Sequence, residues 1–239
     1  MTESLPFFRD SATGTLVKIC GITSVEDAEM AVSCGADAIG VNLFPGSRRH
    51  VELRKCREWL AGLAGRVARI AVVVNPTAAE ITAMREAGCF DAVQFHGNEP
   101  PSFCREAGFP HWIKAVSVRD SSSLSRATIY ETPHVLLDAW SPDAWGGTGL
   151  RVDWDLARDF VDAHRDRRVI LAGGLHPGNL RSALRIVRPF AVDVASGVES
   201  EPRQKDEYLV REFVQIAKRW ARPLLQSAPQ DSEPARPTE

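Results

Sequence analysis

Short apolar runs rich in β-branched residues alternate along this chain with longer segments of mixed polarity. The runs predicted as strands are Leu16–Cys20, Ala38–Leu43, Arg69–Val74, Ala92–Phe95, Ile113–Val116, Val135–Asp138, Val169–Ala172 and Ala191–Val194. Most of the segments between them have the periodicity of amphipathic helices. Regular strand–helix alternation predicts a parallel sheet with right-handed crossovers. Eight units favour an α/β fold, a single (β/α)8 TIM barrel, with an open doubly wound sheet as the alternative.

Capping residues support the helices between these strands. Thr23 or Ser24 can accept backbone hydrogen bonds at the start of the first helix, and Gly35 can end it. The last helix, over about residues 206–220, places its apolar side chains on one face, which suits packing against a barrel. The helix after Ser121–Ser123 has only a faint apolar pattern and is the weakest of the predicted set.

Composition and charge narrow the function classes. The 239 residues are 44% apolar and 25% charged, with a formal net charge of −2. This balance gives no basic surface for nucleic acid, and no apolar run approaches the ~20 residues of a membrane-spanning helix. The first residues lack the apolar core of a signal peptide. We expect an N-terminal extension over residues 1–14, the barrel over 15–222 and a disordered tail over 223–239.

Five cysteines, an odd number with no CxxC pair, argue against a disulfide framework or a zinc ribbon. Cys34, Cys56, Cys89 and Cys104 fall in or near helical segments and are predicted to be small, semi-buried apolar residues. This usage fits a reducing cytoplasm. No group of His, Cys, Asp and Glu has the spacing of metal ligands, so we expect no metal.

The remaining cysteine, Cys20, ends the first predicted strand, and Asp138 ends the sixth predicted strand. Strand ends of this kind face the mouth of a barrel, where barrel enzymes carry out their chemistry. A thiol and a carboxylate there suggest a base and an acid acting across a small substrate. A thiolate base needs nearby positive charge. Lys18 lies on the same strand face, and whether it approaches Cys20 is a question of packing.

Glycine-bearing turns follow the last two strands, where barrels often bind phosphate through backbone N–H groups. The candidates are Gly173 and Gly174 after the seventh strand and Ser196 and Gly197 after the eighth. Another glycine cluster, residues 145–149, follows Asp138. It is predicted either as a mobile lid or as a flexible surface connection.

Two further loops hold candidate binding residues. Arg48 and Arg49 follow the second strand, and one of them could hold a carboxylate in a bidentate fork. Gln94 and His96 lie at the end of the fourth strand. His96 is a possible acid, base or ligand, but a hydrogen-bonded structural histidine is the default interpretation.

Together these motifs resemble the phosphoribosylanthranilate isomerase family. They occur in the family's order and are Lys18–Thr23, Val93–Gly97, Leu137–Asp138 with Gly146–Gly149, Ala172–Leu175 and Asp193–Glu199. The resemblance implies an Amadori rearrangement of N-(5′-phosphoribosyl)anthranilate to 1-(2-carboxyphenylamino)-1-deoxyribulose 5-phosphate, without metal or other cofactor. It implies Cys20 as general base, Asp138 as general acid and Arg49 as the residue that binds the anthranilate carboxylate.

Three positions depart from the family pattern. Ala172 and Ala195 replace common serines of the phosphate loops, and Leu150 stands where a polar or basic residue is usual. These departures leave open a paralogous phosphosugar-binding barrel with a shifted substrate or lost turnover. Related phosphosugar enzymes that use two carboxylates, or a lysine and a glutamate, fit less well. We expect a monomer, because no long exposed apolar element stands out.

Overall fold

The computed structural model of the chain describes residues 5–8, 14–139 and 151–220. Eight parallel strands close into a barrel in chain order, with the last strand paired to the first. They are β1 (Leu16–Cys20), β2 (Ala38–Asn42), β3 (Ala68–Val73), β4 (Ala92–Phe95), β5 (His111–Val118), β6 (His134–Ala139), β7 (Arg168–Leu171) and β8 (Ala191–Val194). The predicted (β/α)8 barrel is therefore confirmed, and the open sheet is excluded.

Helices follow the strands on the outside of the barrel. They are α1 (Val25–Ser33), α2 (Leu53–Gly62), α3 (Ala78–Ala87), α4 (Pro101–Glu106), α5 (Ser121–Ser125), α6 (Trp154–Ala163), α7 (Pro177–Val187) and α8 (Glu207–Arg219). The Ser24 side chain caps α1 by accepting a hydrogen bond from the Asp27 N–H. Gly35 follows α1 in a left-handed conformation, with φ of 93°. Both capping predictions hold, with Ser24 rather than Thr23 as the cap.

Short elements complete the fold. One 3-10 turn, Pro6–Phe8, precedes the barrel, a second, Arg126–Ile129, continues α5, and a third, Ser196–Val198, follows β8. A small hairpin of β9 (Glu199–Glu201) and β10 (Gln204–Lys205) lies between β8 and α8.

The differences from the predicted elements are small and have local causes. Strand β5 extends to His111–Val118, beyond the predicted Ile113–Val116, because β4 pairs with its first half, His111–Lys114, and β6 pairs with Ile113–Val118. Helix α5 is a short segment, in keeping with its faint apolar pattern. Strand β7 ends at Leu171, so that Ala172 begins the following loop.

The core has two layers. A large cluster packs the strands against the helices, and a smaller one fills the barrel and includes Phe7 and Phe8. Phe7 is fully buried, and Phe8 stacks on His111 with ring centroids 4.2 Å apart. Because His111 begins β5, this segment lies at the amino ends of the strands. Of the residues expected to form an N-terminal extension, Leu5–Phe8 thus close the base of the barrel.

Several predictions fall on residues outside the described ranges. These are the proposed lid at 145–149, Leu150 and the whole of the predicted tail, and the domain boundaries stay predictions. Among the described residues, no helix is long and apolar enough to cross a membrane. Cys34, Cys56, Cys89 and Cys104 are unpaired, as predicted, and all four are buried.

Candidate active site

One cavity opens at the carboxyl ends of the barrel strands. Cys20, at the end of β1, and Asp138, near the end of β6, both line it. The other predicted site residues that line it are Arg49, Gln94, His96, Gly173, Gly174 and Ser196. Gly197 is not among the lining residues. The closed barrel thus assembles side chains that lie more than a hundred positions apart in the sequence.

Lys18 and Cys20 approach one another at the wall of the cavity. The Lys18 ammonium is fully buried and donates a 2.9 Å hydrogen bond to Asp193 Oδ1. A Cβ atom placed on Gly40, in the neighbouring strand β2, would lie 2.9 Å from Cys20 Sγ and 3.0 Å from Lys18 Nζ. The thiol and the ammonium therefore converge on one point that glycine leaves free. This geometry answers the question of packing that the sequence leaves open.

Two opposing effects act on the Cys20 thiol. Removal from bulk water raises its pKa, and Lys18 is the strongest influence in the opposite direction. The Asp193 carboxylate raises the pKa further, whereas Lys205 lowers it. The net direction of the shift in the Cys20 pKa is upward. Thiolate formation at Cys20 therefore depends on the cations around it.

Asp138 lies in a chain of side chains that fixes its orientation. Its Oδ1 accepts a 2.8 Å hydrogen bond from the Ala139 N–H, and its Oδ2 lies 3.3 Å from His96 Nε2. On the other side of the ring, Gln94 Nε2 lies 3.1 Å from His96 Nδ1. His96 Nε2 has no hydrogen-bond partner among the described residues, so its 3.3 Å approach to Asp138 is a close polar contact. His96 is thus buried beside the proposed acid.

Arg49 reaches the cavity from the loop after β2, whereas Arg48 is exposed. Arg49 Nε and Nη2 donate hydrogen bonds to the two carboxylate oxygens of Glu199, at 2.7 and 2.6 Å. Any side chain at Gly21 would overlap the Arg49 side chain, so the glycine after Cys20 makes room for it. Arg49 thus forms a bidentate fork with a carboxylate of the protein itself, and its binding of a substrate carboxylate stays a prediction.

A buried lysine completes this group. Lys205 Nζ, on β10, donates to Glu199 Oε1 and to the Ala195 carbonyl oxygen, each at 2.9 Å. Burial lowers the pKa of Lys205. Burial alone raises the pKa of Glu199, but Arg49 and Lys205 together hold it below its usual value. Glu199 is thereby kept as a carboxylate between two cations.

The predicted phosphate loops lie side by side. Gly173 and Gly174 adopt left-handed conformations, with φ of 80° and 62°. A Cβ at Gly173 would lie 2.7 Å from the Ala139 nitrogen, so this loop packs closely on the end of β6. A Cβ at Gly197 would overlap the Leu175 carbonyl oxygen. Gly197 thus lets the loop after β8 pack against the loop after β7.

Sequence reasoning missed four contributors to the site. Asp193 and Glu199 belong to the strand-8 motif but were not singled out as site residues. Gly40 lies in the middle of an ordinary apolar strand, and Lys205 belongs to no motif. The sequence therefore contains no pattern that would identify either residue as part of the site. The predicted absence of metal and cofactor stays a prediction.

Comparison with known proteins identifies the family. The family model described as N-(5′-phosphoribosyl)anthranilate (PRA) isomerase matches residues 17–216. The chain belongs to this family. An N-(5′-phosphoribosyl)anthranilate isomerase of Geobacter sulfurreducens is 46% identical over 204 residues, which are 85% of this chain and 98% of the relative.

Solved structures of the family agree with the fold. The crystal structure of phosphoribosyl anthranilate isomerase from Thermotoga maritima has a TM-score of 0.78 and 40% identity, covering 85% of this chain and 98% of that one. A second isomerase structure, in complex with reduced 1-(o-carboxyphenylamino)-1-deoxyribulose 5-phosphate, has a TM-score of 0.74 and 39% identity over the same shares. The predicted family, isomerase activity and tryptophan-biosynthetic role are confirmed.

Proposed function

We propose that this family member isomerises N-(5′-phosphoribosyl)anthranilate with Cys20 as general base and Asp138 as general acid. The observation that carries the assignment is their position at the ends of β1 and β6 in one cavity. A barrel mouth of this kind lets an acid and a base approach a sugar from different strands. Each positioned proton-transfer group contributes roughly 10²–10⁴-fold to the rate.

The rearrangement requires one proton transfer from the protein to the sugar and one from the sugar to the protein. Asp138 donates a proton to the furanose ring oxygen, which breaks the C1′–O bond and leaves a protonated Schiff base between C1′ and the anthranilate nitrogen. The Cys20 thiolate then removes the proton from C2′, and the C–H electron pair forms the C1′–C2′ double bond of an enolamine. The enolamine then tautomerises: C1′ takes up a proton and the 2′-hydroxyl loses one, which gives the ketose. The substrate nitrogen accepts the electrons, so the mechanism calls on no cofactor.

Neighbouring residues position Asp138. His96 Nε2 lies 3.3 Å from Asp138 Oδ2, and the Ala139 N–H donates a hydrogen bond to Oδ1. These contacts orient the carboxyl group toward the cavity. His96 is therefore a positioning residue for Asp138, which favours the structural interpretation of this histidine over a role as ligand.

Arg49 binds the anthranilate carboxylate in this proposal. Its guanidinium lines the cavity while Glu199 fixes its plane. A guanidinium held in this way loses little further freedom when a second carboxylate arrives. Arg49 thus recognises the aromatic half of the substrate, at the side of the cavity where Cys20 lies.

The phosphate binds to the loops after β7 and β8. Gly173, Gly174 and Ser196 line the cavity, and Gly197 allows the two loops to pack together. Ala172 and Ala195 remove two hydroxyl donors that the family commonly has, so backbone N–H groups and Ser196 make the principal contacts.

The test is the loss of anthranilate-sugar fluorescence when the purified chain meets freshly prepared phosphoribosylanthranilate, with indole-glycerol-phosphate synthase present to consume the product. Rapid loss is expected. A folded wild-type protein that binds the reduced product analogue but shows no turnover would support the binding barrel instead. Arg49→Met should bind that analogue more weakly, while Cys20→Ser should retain it.

Two finer proposals concern the oligomeric state of the protein and its location in the cell. We infer a monomer, because the exposed large apolar side chains of the described residues, Val25, Ile129 and Tyr208, are scattered. Light scattering tests it, and a dimer mass would contradict it. We also propose a cytoplasmic location, because all five cysteines are unpaired.

A further inference from the structure

We propose that Lys18 is a positioning residue for catalysis: its buried ammonium supports the thiolate form of Cys20. The inference rests on the proposed role of Cys20 as base. Lys18 precedes Cys20 by two positions on β1, so both side chains lie on the inner face of the barrel. Lys18 is fully buried and therefore acts through Cys20 rather than on the substrate.

Strand pairing fixes the ammonium in place. Lys18 is the register partner of Asp193 in the β1–β8 ladder, and their side chains form a 2.9 Å ion pair. A buried lysine needs a partner of this kind to stay charged. The pKa of Lys18 accordingly lies above its usual value, because Asp193 and Cys20 outweigh the lowering effect of burial. The cation is therefore permanent at neutral pH.

Glycine at position 40 lets the cation reach the sulfur. The point where a Cβ would sit is 2.9 Å from Cys20 Sγ and 3.0 Å from Lys18 Nζ. Gly40 does not have a positive φ, so its backbone conformation does not require glycine. The requirement is steric, and it comes from the two side chains that meet there.

The other charged groups that act on Cys20 are already engaged. Arg49 and Lys205 both bind Glu199, and Lys205 also binds the Ala195 carbonyl. Lys18 and Asp193 act on the thiol in opposite senses: the ammonium favours the thiolate, whereas the carboxylate disfavours it. The two members of one ion pair should therefore shift the titration of Cys20 in opposite directions.

Alkylation of Cys20 by iodoacetamide as a function of pH measures this effect without turnover, because the thiolate is the reactive form. Cys20 is the one cysteine of five that is not buried, and Cys20→Ser supplies the background rate. Lys18→Met should raise the apparent pKa of alkylation by about one unit or more, and so slow the reaction about tenfold at neutral pH. Asp193→Asn, which keeps the side-chain shape, should lower that pKa in the pH range where Lys18 keeps its charge.

A third variant tests the close approach of Lys18 to Cys20 without removing either charged group. Gly40→Ala retains both ions but places a methyl group between them, and it should shift the alkylation pKa in the same direction as Lys18→Met. Circular dichroism checks each fold. An alkylation pKa that does not rise in folded Lys18→Met, or no shift in any folded variant, overturns the proposal. If Lys18→Met does not fold, the direction of the shift in Gly40→Ala decides between the same outcomes.

The wild-type turnover assay distinguishes a failure of this inference from a failure of the proposed function. The predicted alkylation shifts together with an inactive wild-type protein would contradict the isomerase but not the Lys18–Cys20 coupling. An active enzyme whose alkylation pKa is unchanged by all three substitutions would contradict the Lys18–Cys20 coupling but not the isomerase.

Discussion

Arg49 and Glu199 form a bidentate ion pair at the cavity wall, with N–O distances of 2.7 and 2.6 Å. The side chain of Glu199 is only 5% exposed, so the pair is largely shielded from water. Two parallel charge-assisted hydrogen bonds fix the plane of the guanidinium as well as its position. Glu199 therefore sets the direction in which Arg49 meets a substrate carboxylate.

Glu199→Gln tests this relationship, because it keeps the shape of the side chain and removes its charge. We expect KM for phosphoribosylanthranilate to rise about tenfold, equivalent to about 1.4 kcal/mol, with a smaller change in kcat. Steady-state kinetics measures both constants. An unchanged or lowered KM would show that Glu199 competes with the substrate for Arg49 instead of aligning it.

The same substitution predicts a pH-dependent difference in stability. The folded-state pKa of Glu199 lies below its usual value, so its contribution is present above the unfolded-state pKa and is lost as pH falls through the folded one. The wild-type advantage over Glu199→Gln in unfolding free energy should therefore shrink below about pH 4.3. Urea titrations at neutral pH and in acid measure it. A difference that does not change with pH would contradict the ion-pair account.

Gly197→Ala should disturb the phosphate site through packing. The added methyl group would overlap the Leu175 carbonyl oxygen, so the loops after β7 and β8 must separate. We expect a higher KM and weaker binding of inorganic phosphate. Gly62→Ala is the matched control, because nothing lies within 4 Å of its Cβ position and its φ is not positive. Equal effects of the two substitutions would contradict the role of the loop contact.

Phe7→Ala should lower stability without changing the chemistry. Phe7 is fully buried at the base of the barrel, and truncation of a buried phenylalanine costs about 3–5 kcal/mol. The cavity lies at the other end of the strands, so kcat should stay near the wild-type value. Denaturant unfolding and the turnover assay measure the two effects, with the exposed Ile129→Ala as control. A large loss of kcat in folded Phe7→Ala would contradict the separation of base and site.

The sequence predicts the barrel and the positions of Cys20 and Asp138 because strand periodicity and strand ends are local signals. Barrel closure then determines which residues share the mouth. The pairing of Arg49 with Glu199 spans 150 positions and depends on how two loops fold over the barrel, so no local pattern encodes it. Lys205 reaches the site through a hairpin whose strands have three and two residues.

The approach of Lys18 to Cys20 shows a different limit of prediction from sequence. Periodicity places both residues on one face, but their separation depends on the small residue in the neighbouring strand. Gly40 looks like any other position of an apolar run until its neighbours are known. The segment Leu5–Phe8 shows the same limit, because it lies outside the strand pattern yet packs into the base of the barrel.

The most direct test of the central claim is the single-turnover rate of Cys20→Ser and Asp138→Asn, measured beside the affinity of each for the reduced product analogue. We predict that each variant loses roughly 10²–10⁴-fold in rate while binding the analogue about as tightly as the wild type. Rates within tenfold of wild type in either folded variant would contradict the assignment of that residue as acid or base.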